Sequence, residues 1–500
     1  MKMRLLAIFL LILTFTFIIS SCNGNSPEKP RENQSGDNLQ ADNPGANENE
    51  DGETGKYIFP ELDCNQETFT FLNIEPVWNF RTAIVTEELT GDLLDDAIHM
   101  RNIAAEDKFN VRFAEVTAAW DTMHTKIKNA IMSGDNVYQV IYCPGYGSVP
   151  VGALVAEKYF YDLRTIPELR LDKPWWDQLL NKESSLGTSN SLYFTCSDVS
   201  VMALQGSWCL FFNQDMMVNL GLELPYNKVR DGTWTLDEFN KYLKDAAKPN
   251  EDGSFKFKSK DAGIIGLASF YSGTAAMIYG AGENYIGRDA DNNPQFADKS
   301  QRFYDVCEKI AGILGTPGHY VDTVNTSIGM NFTDVFKNNK SMFMAAEIKE
   351  ANNAKLRGMD ETFGILPMPK YDANQKDYCS VQFIQSPVMV IPITNPDTSR
   401  AGIIMDALSY MSYNDIGPLY FDVITTNKDL RNDDSVDMLN IIRASRYIDI
   451  GVSYGWTYDN VYGQVRDALN TGKSDIASIL EASRDKVRAN IEKTMSALFD

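Results

Sequence analysis

The sequence has few residues of the kinds that hold metal ions and no recognisable catalytic motif. Its 500 residues include three histidines and seven cysteines, and these do not follow the spacing of a zinc site. The G-x-S-x-G pattern of many hydrolases and the H-E-x-x-H pattern of zinc proteases are missing. Internal repeats of the kind expected of a structural adhesin are missing too. The sequence therefore predicts no metal site and no cofactor.

Basic residues are in the minority. Lys and Arg number 46 against 68 Asp and Glu, which gives a formal net charge of -22. An acidic surface repels nucleic acid and anionic lipid headgroups, so neither is expected as an electrostatic partner. Hydrophobic residues make up 44% of the chain, enough for a large core, and the length favours two structural lobes over one domain.

Long apolar runs are confined to the N-terminus. Residues 5–19 form one such run, and Lys2 and Arg4 precede it. The run has the length of a signal-peptide core and is short for a transmembrane helix. The sequence therefore predicts export, and no second run is long enough to span a membrane.

A cysteine follows the export signal. The order Ile19-Ser-Ser-Cys22 is similar to the bacterial lipobox, in which the cysteine thiol is lipidated. Residues 1–22 are therefore predicted to be a lipoprotein signal peptide ending in lipidated Cys22. Residues 23–56 are polar, rich in Asn, Glu, Gly and Ser, and are predicted to be a disordered tether. We expect an extracytoplasmic protein, attached to the outer face of the cell membrane by this lipid.

Six further cysteines lie in the predicted folded region. An exported protein can form disulfides, but a body of this size does not need them, so mostly buried free thiols are expected. Cys196 and Cys209 are the first pair to check, because they flank a predicted crossover between two lobes. Disulfide formation stays open for all six: Cys64, Cys143, Cys196, Cys209, Cys307 and Cys379.

The first half of the folded region alternates between strand and helix patterns. Strands are predicted at 69–74, 111–116 and 137–142, with a helix in each interval. A β-α-β-α-β order implies parallel strands with right-handed crossovers. The aromatic run 206–213 then indicates a crossover into a second lobe.

A second α/β pattern follows that crossover. Thr235 lies three residues before Glu238, a capping box that predicts a helix running to Ala247. Strands are predicted at 341–345 and at the start of 363–372, where we expect the chain to return to the first lobe. The predicted boundaries are 57–205 and 359–416 for lobe 1, and 206–358 and 417–500 for lobe 2.

Six sequence blocks occur in an order that spans nearly the whole folded region. They are Leu89-Thr-Gly-Asp-Leu-Leu-Asp-Asp-Ala-Ile98, Lys173-Pro-Trp-Trp-Asp177, Phe211-Phe-Asn213, Asp231-Gly-Thr-Trp-Thr-Leu-Asp237, Phe336-Lys-Asn-Asn-Lys-Ser-Met342, and Gly364-Ile-Leu-Pro-Met-Pro-Lys-Tyr-Asp372 with Gln375 and Tyr378. Together they resemble the bacterial extracellular solute-binding proteins of family 1, the capture subunits of ATP-driven (ABC) importers, and in particular the long lipoprotein forms common in clostridia.

The resemblance implies a periplasmic-binding-protein fold of the second type, in which crossovers join two α/β lobes around a ligand cleft. It also implies a binding protein, not an enzyme, that delivers a small solute to ABC permease subunits. Many relatives bind mono- or oligosaccharides, and a monomer is expected. One departure is that Ala345-Ala-Glu347 stands where better-known sugar binders often carry a Gly-Trp segment.

Aromatic side chains near strand ends are the candidates for packing against a sugar ring. Trp78 follows the first predicted strand, and Tyr142 and Tyr146 lie at the end of the third. Trp208 lies at the crossover, and Trp456 lies in a loop-like aromatic stretch of the second lobe. Most aromatic residues of a folded protein are in the core, so each of these can equally be a packing residue.

Glu75, Asp198 and Glu347 are the polar candidates, because each is next to a predicted crossover or strand end. Carboxylates accept hydrogen bonds from sugar hydroxyls. The same three residues would pair with a cationic ligand such as a polyamine or basic peptide, which is one alternative function. A lipid-anchored glycoside hydrolase with two carboxylates is the other.

We expect the Cys22→Ala variant to be released into the medium or to keep its signal peptide, because lipidation needs the thiol. Fractionation of cells followed by immunoblotting measures this. A variant that stays with the membrane fraction and is processed as the wild type is processed would show that Cys22 is not the anchor.

Overall fold

The computed structural model describes residues 57–256, 263–270, 272–298, 300–324, 329–425, 430, 433–473 and 475–500. The predicted signal peptide, Cys22 and the predicted tether lie outside the described residues. The contacts of the chain separate Met1–Lys56 from Tyr57–Asp500, and the fold below is that of Tyr57–Asp500.

Strands and helices alternate along this region. The strands are β1 (Thr68–Ile74), β2 (Arg112–Ala118), β3 (Val140–Pro144), β4 (Trp208–Asn213), β5 (Ile265–Ser269), β6 (Ile286–Arg288), β7 (Pro294–Phe296), β8 (Tyr320–Asp322), β9 (Ser341–Glu347), β10 (Phe363–Leu366), β11 (Ser380–Val381), β12 (Pro387–Val390) and β13 (Arg446–Tyr447). The α-helices are α1 (Leu93–Phe109), α2 (Met123–Met132), α3 (Val151–Ala156), α4 (Gln178–Ser184), α5 (Val201–Gln205), α6 (Gln214–Asn219), α7 (Tyr226–Arg230), α8 (Leu236–Ala246), α9 (Ser272–Gly280), α10 (Gln301–Gly315), α11 (Phe332–Lys337), α12 (Ala354–Arg357), α13 (Thr398–Met411), α14 (Gly417–Thr425), α15 (Asp433–Ala444), α16 (Ile450–Ser453), α17 (Gly463–Asn470) and α18 (Ile476–Phe499). Short 3₁₀ helices lie at Leu163–Thr165, Pro167–Leu169 and Ile348–Asn352, and π-helical turns at Ser412–Ile416 and Tyr458–Tyr462.

The first sheet has the strand order β12-β3-β1-β2. Strand β1 pairs in parallel with both β2 and β3, which confirms the predicted β-α-β-α-β unit. Helix α1 connects the first two strands, and the Asp92 side chain caps it by accepting from the N–H groups of Leu94 and Asp95. The last strand, β12, returns much later in the chain and pairs antiparallel with β3.

The second sheet has the strand order β10-β4-β9-β5-β8. Strand β4 pairs antiparallel with β9 and β10, whereas β5 pairs in parallel with β8 and β9. The predicted strand at 341–345 is confirmed as the first part of β9. The Thr235 side chain accepts from the Glu238 N–H at the start of α8, which confirms the predicted cap.

The predicted return to the first lobe at residue 359 does not coincide with a change of sheet. Strand β10 lies after this boundary, yet it pairs with β4 of the second sheet. Gly364 pairs with Phe212 in this ladder, and the register needs a glycine there, since a Cβ atom would lie 2.4 Å from a ring carbon of Phe212. The chain reaches the first sheet only at β12, after the short strand β11.

Three chain segments cross side by side between the two sheets. Strand β11 pairs in parallel with β13, and Ser207 pairs antiparallel with Gln382. The Phe383 N–H then donates to the carbonyl of Gly206 at 2.8 Å. These three segments, around residues 207, 382 and 446, are the crossover region of the molecule.

A buried ion network lies in the crossover region. The Asp198 carboxylate is 1% exposed and pairs with Arg446 at 3.1 Å and with Arg443. The Arg446 guanidinium also pairs with Asp177 at 3.3 Å. Burial by itself lowers the pKa of Arg446, but the Asp198 and Asp177 carboxylates more than offset this effect and raise the pKa above the ordinary arginine value. The network ties the chain before α5 to the end of α15 and to the residues directly after it.

The six cysteines of the described region are all free thiols. Five are buried and Cys379 is partly exposed, which confirms the expectation from sequence. Cys196 and Cys209 do not pair; the Cys209 thiol donates to the carbonyl of Ala346 at 3.5 Å. None of the described helices is both long enough and apolar enough to cross a lipid bilayer.

We expect Asp198→Asn to lower the free energy of unfolding by about 3 kcal/mol or more, because it leaves buried arginine charge without its main partner. Asp437→Asn is the matched control, since it breaks a 2.8 Å pair with Arg230 at the surface and should cost less than about 1 kcal/mol. Urea unfolding measures both. Equal losses in the two variants would contradict the role given to the network.

Candidate functional site

A cavity of about 600 Å³ opens where strands from both sheets end. Trp78 follows β1, Phe270 follows β5, Thr323 follows β8, and Glu347 is the last residue of β9. Such an edge is the usual place for a ligand in open α/β sheets, because the carboxyl ends of parallel strands meet there. The volume is typical of a binding cavity for a small organic molecule. The lining residues are Trp78, Phe270, Ser272, Thr323, Val324, Gly329, Met330, Asn331, Phe332, Glu347, Lys349, Glu350, Phe383, Ile384, Gln385, Tyr458, Tyr462 and Arg466.

Aromatic rings form much of the cavity wall. The Trp78 side chain is 43% exposed, and its ring lies 5.6 Å from the Phe383 ring in an edge-to-face contact. Phe270 packs against Phe332 with ring centres 5.3 Å apart, and Tyr458 stacks on Tyr462 at 5.6 Å. Aromatic faces left open at a cavity provide flat apolar surface for a ligand ring.

The backbone at Trp78 has an unusual conformation. Its φ is +48°, in the left-handed region that bulky residues rarely occupy, and Asn79 follows with φ +61°. The Lys349 ammonium donates a hydrogen bond to the Trp78 carbonyl at 3.0 Å. Left-handed residues of this kind cluster at ligand sites, and here the conformation presents the indole to the cavity.

Glu347 is the most deeply buried carboxylate of the cavity wall. It is 2% exposed, and burial raises its pKa to about 7, although the nearby Lys349 charge acts in the opposite direction. Near neutral pH the side chain therefore exists in both protonation states. It can accept a hydrogen bond from a ligand hydroxyl as a carboxylate, or donate one as a carboxylic acid.

Two of the eight residues predicted for the site line this cavity, namely Trp78 and Glu347. Tyr146 lies beside it, with its ring centre 4.0 Å from that of Tyr458. Trp208 lies beneath the wall, where it lines an enclosed space of about 20 Å³ that shares Phe383 with the cavity.

The other four predicted residues lie elsewhere. Tyr142 is buried inside β3, because it precedes the end of that strand, and Trp456 stacks on Tyr454 in the core. Asp198 is held by arginines in the buried ion network. Glu75 is exposed and is not part of the cavity wall, although it directly follows β1.

Several lining residues were not among the sequence-based candidates. Phe270 and Thr323 follow strands β5 and β8, whose short sequences gave no clear strand pattern. Phe383 belongs to the crossover region, and Lys349 comes two residues after Glu347. If β5 and β8 had been recognised in the sequence, Phe270 and Thr323 would have been candidates, because each directly follows the end of a strand.

No group of three or more His, Cys, Asp or Glu side chains within the described ranges could hold a metal ion. The cavity wall does carry charge of both signs, with Glu347 and Glu350 facing Lys349 and Arg466. Arg466 pairs with Asp467 at 2.8 Å. The arrangement therefore suits a polar organic ligand with ring surfaces.

The sequence matches no protein-family profile and no curated protein. Its structure, however, matches solved structures over most of its length. A sugar transporter protein from Rhizobium etli, in an open conformation, has a TM-score of 0.59 at 13% identity, covering 84% of this chain and 99% of that one. The chain has the two-lobed periplasmic-binding-protein fold. That outcome confirms the fold class predicted from sequence.

Two further structures show the same fold. The cyclic α-maltosyl-1,6-maltose binding protein from Arthrobacter globiformis has a TM-score of 0.53 at 11% identity, covering 85% of this chain and 99% of that one. RafE from Streptococcus pneumoniae has a TM-score of 0.50 at 13% identity, covering 89% of this chain and all of its own.

We expect Glu347→Gln to stabilise the protein at alkaline pH. The folded-state pKa of about 7 exceeds the ordinary value of 4.5, so the folded state holds the proton more tightly and stability falls as pH rises from about 4.5 to 7. The glutamine amide does not ionise, so the variant avoids this loss of stability. We expect its free energy of unfolding to exceed that of the wild type by up to about 3 kcal/mol at about pH 8 and by less than about 1 kcal/mol at about pH 5.

Urea unfolding of wild type and variant at the two pH values measures the difference. Glu75→Gln is the control, because it makes the same change at an exposed position and should have little effect at either pH. A Glu347→Gln variant that is no more stable than wild type at about pH 8 would contradict the raised pKa.

Proposed function

We propose that this protein is an extracytoplasmic solute-binding protein that captures a carbohydrate, a mono- or oligosaccharide, and delivers it to the permease subunits of an ABC importer. The observation that carries the proposal is the cavity at the strand ends, which is lined both by the exposed Trp78 next to the first sheet and by the buried Glu347 of the second sheet. The fold shared with a sugar transporter protein and a maltosyl-maltose binding protein supports it.

The cavity meets the chemical requirements of sugar binding. A sugar ring offers C–H surface that packs on an aromatic face, and hydroxyl groups that need hydrogen-bond partners. Trp78 and Phe270 supply apolar faces, and Glu347 supplies a polar group. The Gln385 side-chain oxygen is buried at the cavity and has no partner among the described residues, so it is free to accept from a ligand hydroxyl.

The crossover region gives the two lobes a hinge. Three neighbouring segments connect the sheets, and the cavity is bounded by residues from both sides of them. A ligand that contacts both lobes favours their closure by its differential affinity for the closed state. Closure around the solute is therefore part of the proposal, as is a monomeric state.

The N-terminal segment is the basis for the proposed location of the protein in the cell. Lipidation of Cys22 and a tether over residues 23–56 would keep the protein at the outer face of the membrane, near the permease that receives the solute. The proposed lobes are the segments around the two sheets, with β10 assigned to the second lobe because it belongs to the second sheet.

Two alternatives are tested by the same experiments. A glycoside hydrolase uses two carboxyl groups that flank the scissile bond. The carboxyl groups on this cavity wall are those of Glu347 and Glu350, and Glu350 is held by Asn353 and Thr333 through its Oε2 atom, at 2.6 and 3.4 Å. A polyamine would meet the positive charge of Lys349 next to Glu347. We therefore propose a binding protein without catalytic activity, for a ligand that is not cationic.

We expect a carbohydrate to raise the melting temperature in a screen of sugars, oligosaccharides, amino acids, peptides and polyamines, because a ligand specific to the folded state stabilises it by mass action. Trp78→Ala should weaken the binding of that carbohydrate by roughly 1–3 kcal/mol, the range for losing an aromatic contact. Titration calorimetry measures this loss.

Phe499→Ala is the matched control, because Phe499 is 42% exposed, almost as much as Trp78, and does not line the cavity. It should leave the affinity unchanged. Stabilisation by a polyamine and by no carbohydrate would contradict the sugar proposal. Release of a product from the bound carbohydrate would contradict the absence of catalysis.

A further inference from the structure

A second cavity of about 600 Å³ shares a wall with the first. Lys349 and Glu350 line both cavities. None of the described residues that line the second cavity is aromatic, and polar residues such as Asn79, Gln205 and Arg357 form much of its wall. Because each cavity alone is in the typical range of roughly 300–1,000 Å³, the two together offer space for a ligand longer than one sugar ring.

The Lys349 ammonium lies at the shared wall and forms no ion pair with a described residue, although the buried Glu347 side chain is close enough for the two charges to interact. Its Nζ donates to the Trp78 carbonyl at 3.0 Å and lies 3.7 Å from the ring centre of Phe80. An ammonium group has three donors, so Lys349 keeps donors for a ligand. The face of Phe80 also attracts the charge and holds it in place.

Arg357 also lines the second cavity, and like Lys349 it forms no ion pair with a described residue. Its guanidinium is exposed at the second cavity and donates to the carbonyl of Asn352 at 2.7 Å. Guanidinium groups bind carboxylates through two parallel hydrogen bonds, and this one keeps further donors for such a contact.

The remaining charged groups of the second cavity make contacts of their own. Arg81 forms ion pairs with Asp92 at 2.6 Å and with Asp95 at 2.8 Å. The Glu350 carboxylate accepts a hydrogen bond from the neutral Asn353 amide at 2.6 Å. Although carboxylates are in large excess in a chain of net charge -22, neither of the two cations above forms an ion pair with a described residue, so both keep donors for a carboxylate on the ligand.

We propose that the two cavities form one groove for an acidic oligosaccharide, whose rings pack on Trp78 in the first cavity while a ring carboxylate is bound by Lys349 and Arg357 in the second. The inference rests on the carbohydrate function proposed above and narrows it to sugars that contain uronic acid. The charged contacts select the ligand, and the aromatic contacts hold its rings.

The test compares each acidic oligosaccharide with an uncharged form that has the same rings. The probes are tetrasaccharides of galacturonic acid, of mannuronic acid and of hyaluronan, each beside its methyl ester, with maltotetraose as a neutral reference. Calorimetry on the purified protein should show at least one acid binding about tenfold or more tightly than its ester. Added salt should weaken the acid more than the ester.

Lys349→Gln and Arg357→Gln should each bring the acid-to-ester affinity ratio closer to one, because each removes a carboxylate partner. Lys355→Gln is the matched control on the same segment, since Lys355 pairs with Asp334 at 2.7 Å and does not line either cavity. It should leave the ratio unchanged.

Two results would overturn the inference, and they are distinguishable. Binding of maltotetraose or of an ester, with every acid weaker, would leave the carbohydrate function in place and refute the acidic ligand. A ratio that stays the same in Lys349→Gln and Arg357→Gln would refute the assigned residues. If none of the seven probes binds and a broader screen finds no sugar, the carbohydrate function itself falls.

Discussion

The buried ion network around Asp198 is the constraint on which the arrangement of the two sheets depends. Asp198 lies just before the chain enters the second sheet, and its arginine partners are Arg443 in the last turn of α15 and Arg446 directly after that helix. Removing charges from water is costly unless they are paired, so these segments are held together wherever the protein is folded. The crossover strands beside them can change their backbone angles only within the limits that this network sets.

The crossover region also supports the cavity. Phe383 follows the bridge between Ser207 and Gln382 and lines the cavity, and its ring contacts Trp78 and Phe80. The crossover segments therefore carry part of the aromatic wall, while the strand ends carry the rest. If the proposed lobes close about these segments, the distance between the two parts of the wall changes with the angle between the lobes.

Local sequence patterns predicted individual strands and helices better than they predicted which strands pair with one another. The β-α-β-α-β unit and the Thr235 cap follow from short-range spacing, and both are confirmed. The sheet to which β10 belongs depends on its pairing with β4, which is distant in the sequence and which no local pattern encodes. Likewise, Asp198 was predicted to bind ligand because its burial by distant arginines cannot be seen in sequence. Trp78 and Glu347 do line the cavity, since the position of a residue near a strand end is visible in the local sequence, and their contact with a ligand stays a prediction.

The exposure of Trp78 has an optical consequence. Four of the seven tryptophans, Trp176, Trp208, Trp234 and Trp456, are buried, so their indoles emit from an apolar surrounding that a ligand in the cavity does not reach directly. The indole of Trp78 meets water at the cavity mouth, with Trp120 at 5.4 Å. A sugar ring that covers it replaces water with C–H surface and shifts its fluorescence to shorter wavelength. The protein thus contains its own reporter of occupancy, and no attached dye is needed to follow the solute.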